Sequence, residues 1–209
     1  MELNKKLLEE FRWTKSKLLW VTKYFDKDAT LEIINKLETD YMDIFEGIWE
    51  NRIEALIEKN IDRNKVHFIW NIQSKQIKDI IKFSSFIHSI DDIKHIKKIE
   101  DICNKSWNWI QIFLQINIDN TKKAWISIEK IPEYLEIIWD MESVSLIWFS
   151  AIWKSEFTRK EKEAEFDLLI KLRNKYLPNW FISAWTSIDY EIALEKWIDI
   201  VRVGSKLYN

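Results

Sequence analysis

The strongest constraint on the fold of this chain is an alternation. Short apolar runs at residues 17–22, 41–45, 66–69, 85–88, 110–118, 144–149, 181–184 and 198–203 read as strands. Between them lie stretches with helical spacing, at 30–37, 51–58, 74–81, 91–105, 127–138, 157–176 and 187–196, and a first helix is expected over 1–11. Pro132 fits the first turn or two of its helix, and Ser89 or Asp91 fits as a cap for the helix over 91–105. Eight strands, each separated from the next by a helix, imply parallel pairing through crossover helices. Eight such units in 209 residues predict an α/β fold, a single TIM-type (β/α)8 barrel occupying 1–209 as one domain. An open doubly wound sheet is the structural alternative, because periodicity does not show closure. No linker or low-complexity segment divides the chain.

The rest of the composition narrows the function classes. Hydrophobic residues make up 47% and charged residues 32%, which is globular. A formal charge of -2 gives no electrostatic reason for a nucleic-acid partner, and the basic run at 94–98 reads as a solvated helix face. No apolar stretch is long enough to span a bilayer, and the opening residues do not resemble a signal peptide, so no membrane partner and a cytoplasmic location are expected. The single cysteine, Cys103, reads as packing. His67, His88 and His95 are scattered and show no metal-ligand spacing, so no metal is expected.

In a barrel of this type chemistry sits at the C-terminal ends of the strands. Lys23 follows the first run, and Glu50 and Asn51 follow the second. Residues 121–123 follow the fifth, Thr186 and Ser187 the seventh, and Gly204 and Ser205 the eighth. A lysine directly after a buried strand is open to desolvation, which favours the neutral, imine-forming amine. Backbone N–H groups of Gly204 and Ser205, with the Ser205 hydroxyl, suit a phosphate, and Thr186-Ser187 opens the preceding helix beside them.

Two counts are out of line: Gly 2 and Trp 13. Average glycine usage of about 7% predicts roughly 15 glycines in a chain of this length. Many tryptophans stand where glycine chemistry belongs: Trp49 before Glu50-Asn51, Trp70, Trp148, Trp153 and Trp185 at or near strand ends, Trp180 after Pro178-Asn179, and Trp197 at a helix C-terminus. Some genetic codes read UGA as glycine and others read it as tryptophan. A gene of the first kind translated by the second table gives this pattern. The alternative is a Trp-rich protein with aromatic binding platforms.

With these residues in view, nearly the whole chain resembles the pyridoxal phosphate homeostasis proteins (the YggS/PROSC type), which share the barrel of the alanine racemase N-terminal domain. The resemblance rests on Val21-Thr22-Lys23, Trp49-Glu50-Asn51, the segment from His67 to Ser74, Ile87-His88-Ser89-Ile90-Asp91, residues 114–118, residues 185–191 and Val201-Arg202-Val203-Gly204-Ser205. Where the family pattern has glycine this chain has Trp49, Trp70, Trp125, Trp148 and Trp185. It departs from the pattern at Lys75-Gln76 and Phe149. The resemblance implies pyridoxal 5'-phosphate (PLP) as cofactor, held as a Schiff base on Lys23, with Ser187, Gly204 and Ser205 at its phosphate, Arg202 at its pyridine nitrogen and Asn51 lining the pocket. It implies a homeostasis or carrier protein with little or no turnover, possible exchange of PLP with apoenzymes, and no catalytic residue. The alternative is a racemase-like enzyme with Lys23 as base. Racemisation needs a second acid or base, which racemases take from an additional domain; the chain ends six residues after the eighth run, so no such domain is expected. A monomer is expected.

Overall fold

The computed structural model describes residues 2–117, 125–151, 157–178, 181–185 and 189–208. Eight parallel strands close into a barrel in sequence order: β1 (Lys17–Val21), β2 (Phe45–Glu50), β3 (Val66–Phe68), β4 (Phe86–Ile90), β5 (Ile110–Gln115), β6 (Val144–Ala151), β7 (Phe181–Trp185) and β8 (Ile200–Val203). Closure is direct, since β1 pairs with β8 from Lys17↔Ile200 to Trp20↔Val203. The eight-stranded reading holds and the open sheet does not.

Eight helices accompany the strands among the described residues: α1 (Lys5–Thr14), α2 (Lys27–Asp40), α3 (Ile53–Lys59), α4 (Ile77–Phe83), α5 (Ile93–Ser106), α6 (Ile131–Trp139), α7 (Arg159–Tyr176) and α8 (Tyr190–Glu195). Their starts are fixed locally. Asn4 caps α1 by accepting from Leu7 N–H, and Asp26 caps α2 by accepting from Ala29 N–H. Thr158 and Glu161 form a reciprocal capping box on α7. Pro132 lies in the first turn of α6, as its missing N–H requires. The cap of α5 is Asp92, not Ser89 or Asp91, because Asp92 Oδ1 is the atom that reaches Lys94 N–H.

Strand alternation divides the apolar residues into two cores. On β1, Leu18 and Trp20 face the helices, and Leu19 faces the barrel interior with Trp49, Ile69, Phe113 and Ile200. Val21 packs against the same interior cluster. The outer layer is larger, and each buried leucine or isoleucine in it is worth about 2–5 kcal/mol against truncation to alanine.

The second strand differs from the expectation. Residues 41–44 form the turn that follows α2, and β2 runs from Phe45 to Glu50, so Gly47, Trp49 and Glu50 lie in the strand and not in a loop. Gly47 is what misleads: glycine usually weakens a strand. Here it is required, since a Cβ would sit 2.4 Å from the Lys65 carbonyl oxygen, with φ at +155°. The last helix also starts later than expected: α8 begins at Tyr190 behind Asp189, and Thr186 and Ser187 lie outside the described residues. No described helix is long and apolar enough to cross a membrane.

Candidate functional site

Lys23 stands two residues beyond Val21, in the turn past the end of β1 that Phe25 N–H closes on the Thr22 carbonyl, and is half-buried. Its Nζ lies 4.5 Å from the centroid of the Tyr24 ring. Both carbonyls that flank its side chain are held. Lys59 Nζ donates to the Thr22 carbonyl at 2.8 Å, and Arg52 Nη2 donates to the Lys23 carbonyl at 3.0 Å. Lys59 ends α3 and Arg52 precedes it, so one short helix braces the strand end that carries Lys23.

The same brace reaches Asn51. Glu50 ends β2 facing the helices and is fully buried. Its Oε2 lies 2.6 Å from Lys59 Nζ and 3.3 Å from the Thr22 hydroxyl, and its Oε1 accepts the Asn51 N–H at 2.9 Å. A buried carboxylate needs such partners. Asn51 then follows at an inward position, beside an open polar cleft of about 290 Å³ that also touches Arg52, Trp70 and Gln73. Its Oδ1 is buried and has no hydrogen-bond partner among the described residues.

Deeper in the barrel, Arg202 occupies an inward position on β8, in register with Leu19 of β1 and Trp185 of β7. It is almost completely buried. Its Nε and Nη2 donate to Ser183 Oγ at 3.2 and 3.1 Å, and Nη2 lies 3.4 Å from His88 Nδ1. No carboxylate pairs with it among the described residues, and Nη1 has no partner there. Burial without a counter-charge brings its pKa down to about 9.

His67 and His88 are not scattered. They lie on the inward faces of β3 and β4, with His67 Nδ1 2.7 Å from His88 Nε2. Arginine can only donate, so the Arg202 contact leaves His88 with its proton on Nε2, and His67 with its proton on a second buried Nε2. Each ring stacks on an aromatic neighbour, His67 on Phe86 at 4.0 Å and His88 on Phe113 at 3.4 Å between centroids. Burial, aided by Arg202, lowers His67 to about 3 and His88 well below its ordinary value, so both are neutral. The signal for this pair was available: both histidines share the inward phase of adjacent parallel strands.

Gly204 is buried at the end of β8, and Ser205 is exposed at the start of a 3-10 turn over Ser205–Leu207. The structure therefore brings Lys23 and Asn51 to neighbouring strand ends under one brace. It places Arg202 and Gly204 on the inward phase of β8, the strand that pairs with β1. The proposed phosphate contacts of Ser187, and the lysine at 123, fall outside the described residues. Among the described residues no group of three or more His, Cys, Asp or Glu is placed to hold a metal.

The chain matches no family model. Two pyridoxal phosphate homeostasis proteins are similar in sequence. That of Aquifex aeolicus is 25% identical over 173 residues, covering 76% of this chain and 74% of that protein. That of Helicobacter pylori is 25% identical over 145 residues, covering 68% and 65%. PipY of Synechococcus elongatus, solved with PLP bound, shares the fold at a TM-score of 0.77 and 18% identity, over 97% of this chain and 100% of that one. Alanine racemase of Clostridium difficile shares it at 0.72 and 16% identity, and the chain spans only 57% of that enzyme. The chain is thus similar in sequence to two pyridoxal phosphate homeostasis proteins and shares its fold with PipY and with alanine racemase.

Proposed function

We propose that this chain binds PLP, holds it as a Schiff base on Lys23, and serves PLP homeostasis with little or no turnover. The observation that carries the reading is Arg202: a buried guanidinium without a carboxylate partner among the described residues, with an Nη1 hydrogen-bond donor left over on the inside of the barrel. Such a group fits an acceptor from outside the chain, and a pyridine nitrogen is one. Asn51 Oδ1, likewise buried and unpartnered, fits the same ligand.

PLP supplies an aldehyde for an amine and a ring that takes up electron density, best when its nitrogen is protonated. Arg202 does not accept a proton, and the neutral histidines behind it offer no acid, so the ring nitrogen stays a hydrogen-bond acceptor. That disfavours carbanion chemistry and favours storage. Lys23 provides the amine, Asn51 lines the pocket, and Gly204 and Ser205, with Ser187, bind the phosphate. Delivery to PLP-dependent apoenzymes, by a cytoplasmic monomer of one domain, completes the proposal.

The test is spectroscopic. The purified protein with glycine at the suspect tryptophan positions is expected to show, with PLP, a borohydride-reducible imine band in the visible range that is lost in Lys23→Ala. Persistence of the band in Lys23→Ala defeats the assignment. Rapid, Lys23-dependent exchange of an amino acid's alpha proton into deuterated solvent would replace it with the racemase-like reading.

A further inference from the structure

We infer that the buried Glu50–Lys59 pair is a positioning device that sets Lys23 and Asn51 relative to each other; this rests on the PLP reading above. Neither member faces the barrel interior. Glu50 is 0% and Lys59 4% exposed in their side chains, between β2 and α3. Yet one ammonium contacts the backbone of Thr22, next to Lys23, and one carboxylate contacts the backbone of Asn51. Lys59 holds the carbonyl preceding Lys23, and Glu50 holds the N–H of Asn51, with 2.6 Å between the two charges. The bridge crosses from β2 to the end of β1, just past the last registered pair, Val21↔Trp49. Beyond that pair the ladder adds one backbone bond, Thr22 N–H to the Trp49 carbonyl. The ion pair therefore takes over where the sheet stops. It also explains why a second buried amine so near the site is not a rival to Lys23: Lys59 spends its protons on Glu50 and Thr22.

A purely structural pair and a positioning pair differ in what survives its replacement. A buried ion pair exchanged as a unit for apolar residues commonly leaves stability intact, whereas breaking it on one side does not. The variant Glu50→Leu/Lys59→Met is expected to keep the thermal midpoint. Its PLP-free form should exchange the Thr22 and Asn51 amide hydrogens faster, and it should bind PLP at least about tenfold more weakly. Wild-type exchange and wild-type PLP affinity in that variant overturn the inference. If the double variant does not fold, Glu50→Gln carries the test, since it keeps shape and the acceptor for Asn51 but removes the charge facing Lys59; unchanged PLP affinity and amide exchange there overturn it equally. Borohydride trapping of PLP on Lys59 would also do so. Absence of any imine band both in the wild type and in Trp49→Gly sinks the PLP reading instead, and the amide-exchange comparison still decides the brace.

A separate set of observations carries a second inference: the geometry points to glycine, in the natural protein, at Trp49, Trp107 and Trp197. Trp107 and Trp197 adopt left-handed backbone at helix C-termini, with φ at 53° and 56°. That is the position and conformation where glycine ends helices, and a bulky aromatic there is an outlier. Neither indole gains burial in return: Trp107 is 97% and Trp197 64% exposed. Trp49 is the converse case. It pairs with Val21, two residues before Lys23 and one inward layer above Arg202, and its indole packs inside the barrel with Leu19, Phe113 and Ile200. Glycine there opens the interior between the amine and the guanidinium, where an aromatic cofactor has to lie. Reading UGA codons as glycine produces all three at once. Peptide mass mapping of the protein from its own cells is expected to return glycine at 49, 107 and 197; tryptophan at these positions overturns the inference, whatever PLP does. In recombinant protein, Trp107→Gly and Trp197→Gly should raise the thermal midpoint and Trp49→Gly should increase PLP uptake, and a lowered midpoint in both cap variants counts against it.

Discussion

His67 Nδ1 meets His88 Nε2 at 2.7 Å inside the barrel, and both rings are neutral. In the unfolded chain each imidazole titrates near 6.5. Below that pH the unfolded state takes up protons that the folded state refuses, down to about 3 for His67. Stability from the pair is therefore complete above about pH 6.5 and falls as the pH drops, by about 1.4 kcal/mol per pH unit per histidine. Urea unfolding between about pH 7 and pH 5 should show this slope, and His88→Gln should flatten it. An identical slope in the variant would exclude the pair as its source.

Arg202 costs the PLP-free protein stability, because its charge is buried with no carboxylate beside it among the described residues. Arg202→Met is expected to stabilise the PLP-free form by ~1–3 kcal/mol. The same change removes the donor proposed for the ring nitrogen, so PLP affinity should fall. Chemical denaturation and PLP titration on one preparation check both halves, and a variant that is less stable yet binds normally contradicts the argument.

Gly47→Ala should be among the most damaging conservative changes in the chain. The new Cβ would meet the Lys65 carbonyl oxygen at 2.4 Å, and that oxygen belongs to the backbone and cannot swing away. A loss of about 2–4 kcal/mol in unfolding free energy is expected. A loss below the size of an ordinary surface substitution would mean that β2 relaxes freely at this point.

Cys103 is fully buried on α5, and burial raises its thiol to about 11. The thiolate is the reactive form, so iodoacetamide at neutral pH should leave the folded protein unlabelled and label it fully in denaturant. Rapid labelling of the folded protein would show that α5 opens locally.

The barrel was legible because alternation of apolar runs and helices is a property of whole segments, and single residues do not erase it. The positions of Lys23 and Asn51 past strand ends were legible for the same reason, whereas Arg202, inside β8, was singled out only by the resemblance. The second strand was displaced in the reading because Gly47 and Glu50 look like loop residues. Both are explained by contacts remote in sequence: Gly47 by the close approach of Lys65, and Glu50 by Lys59 across the β2–α3 connection. Glu50 did carry a sign, since it shares the outward phase of Ile48, where an apolar side chain belongs and a charge needs a buried partner. The histidine pair was missed because 21 residues separate its members, and only the parallel pairing of β3 and β4, with His67 registered on Phe86, puts them at successive inward positions within reach.

The interior cluster of Leu19, Phe113 and Ile200 has a last consequence. Among the described residues it fills the barrel at the level of Arg202 and below with side chains that water does not wet, so the interior is a cup and not a tube. Whatever enters past Lys23 leaves by the same door. A recipient that takes the contents directly has to dock at the rim, and while it is docked nothing else can load.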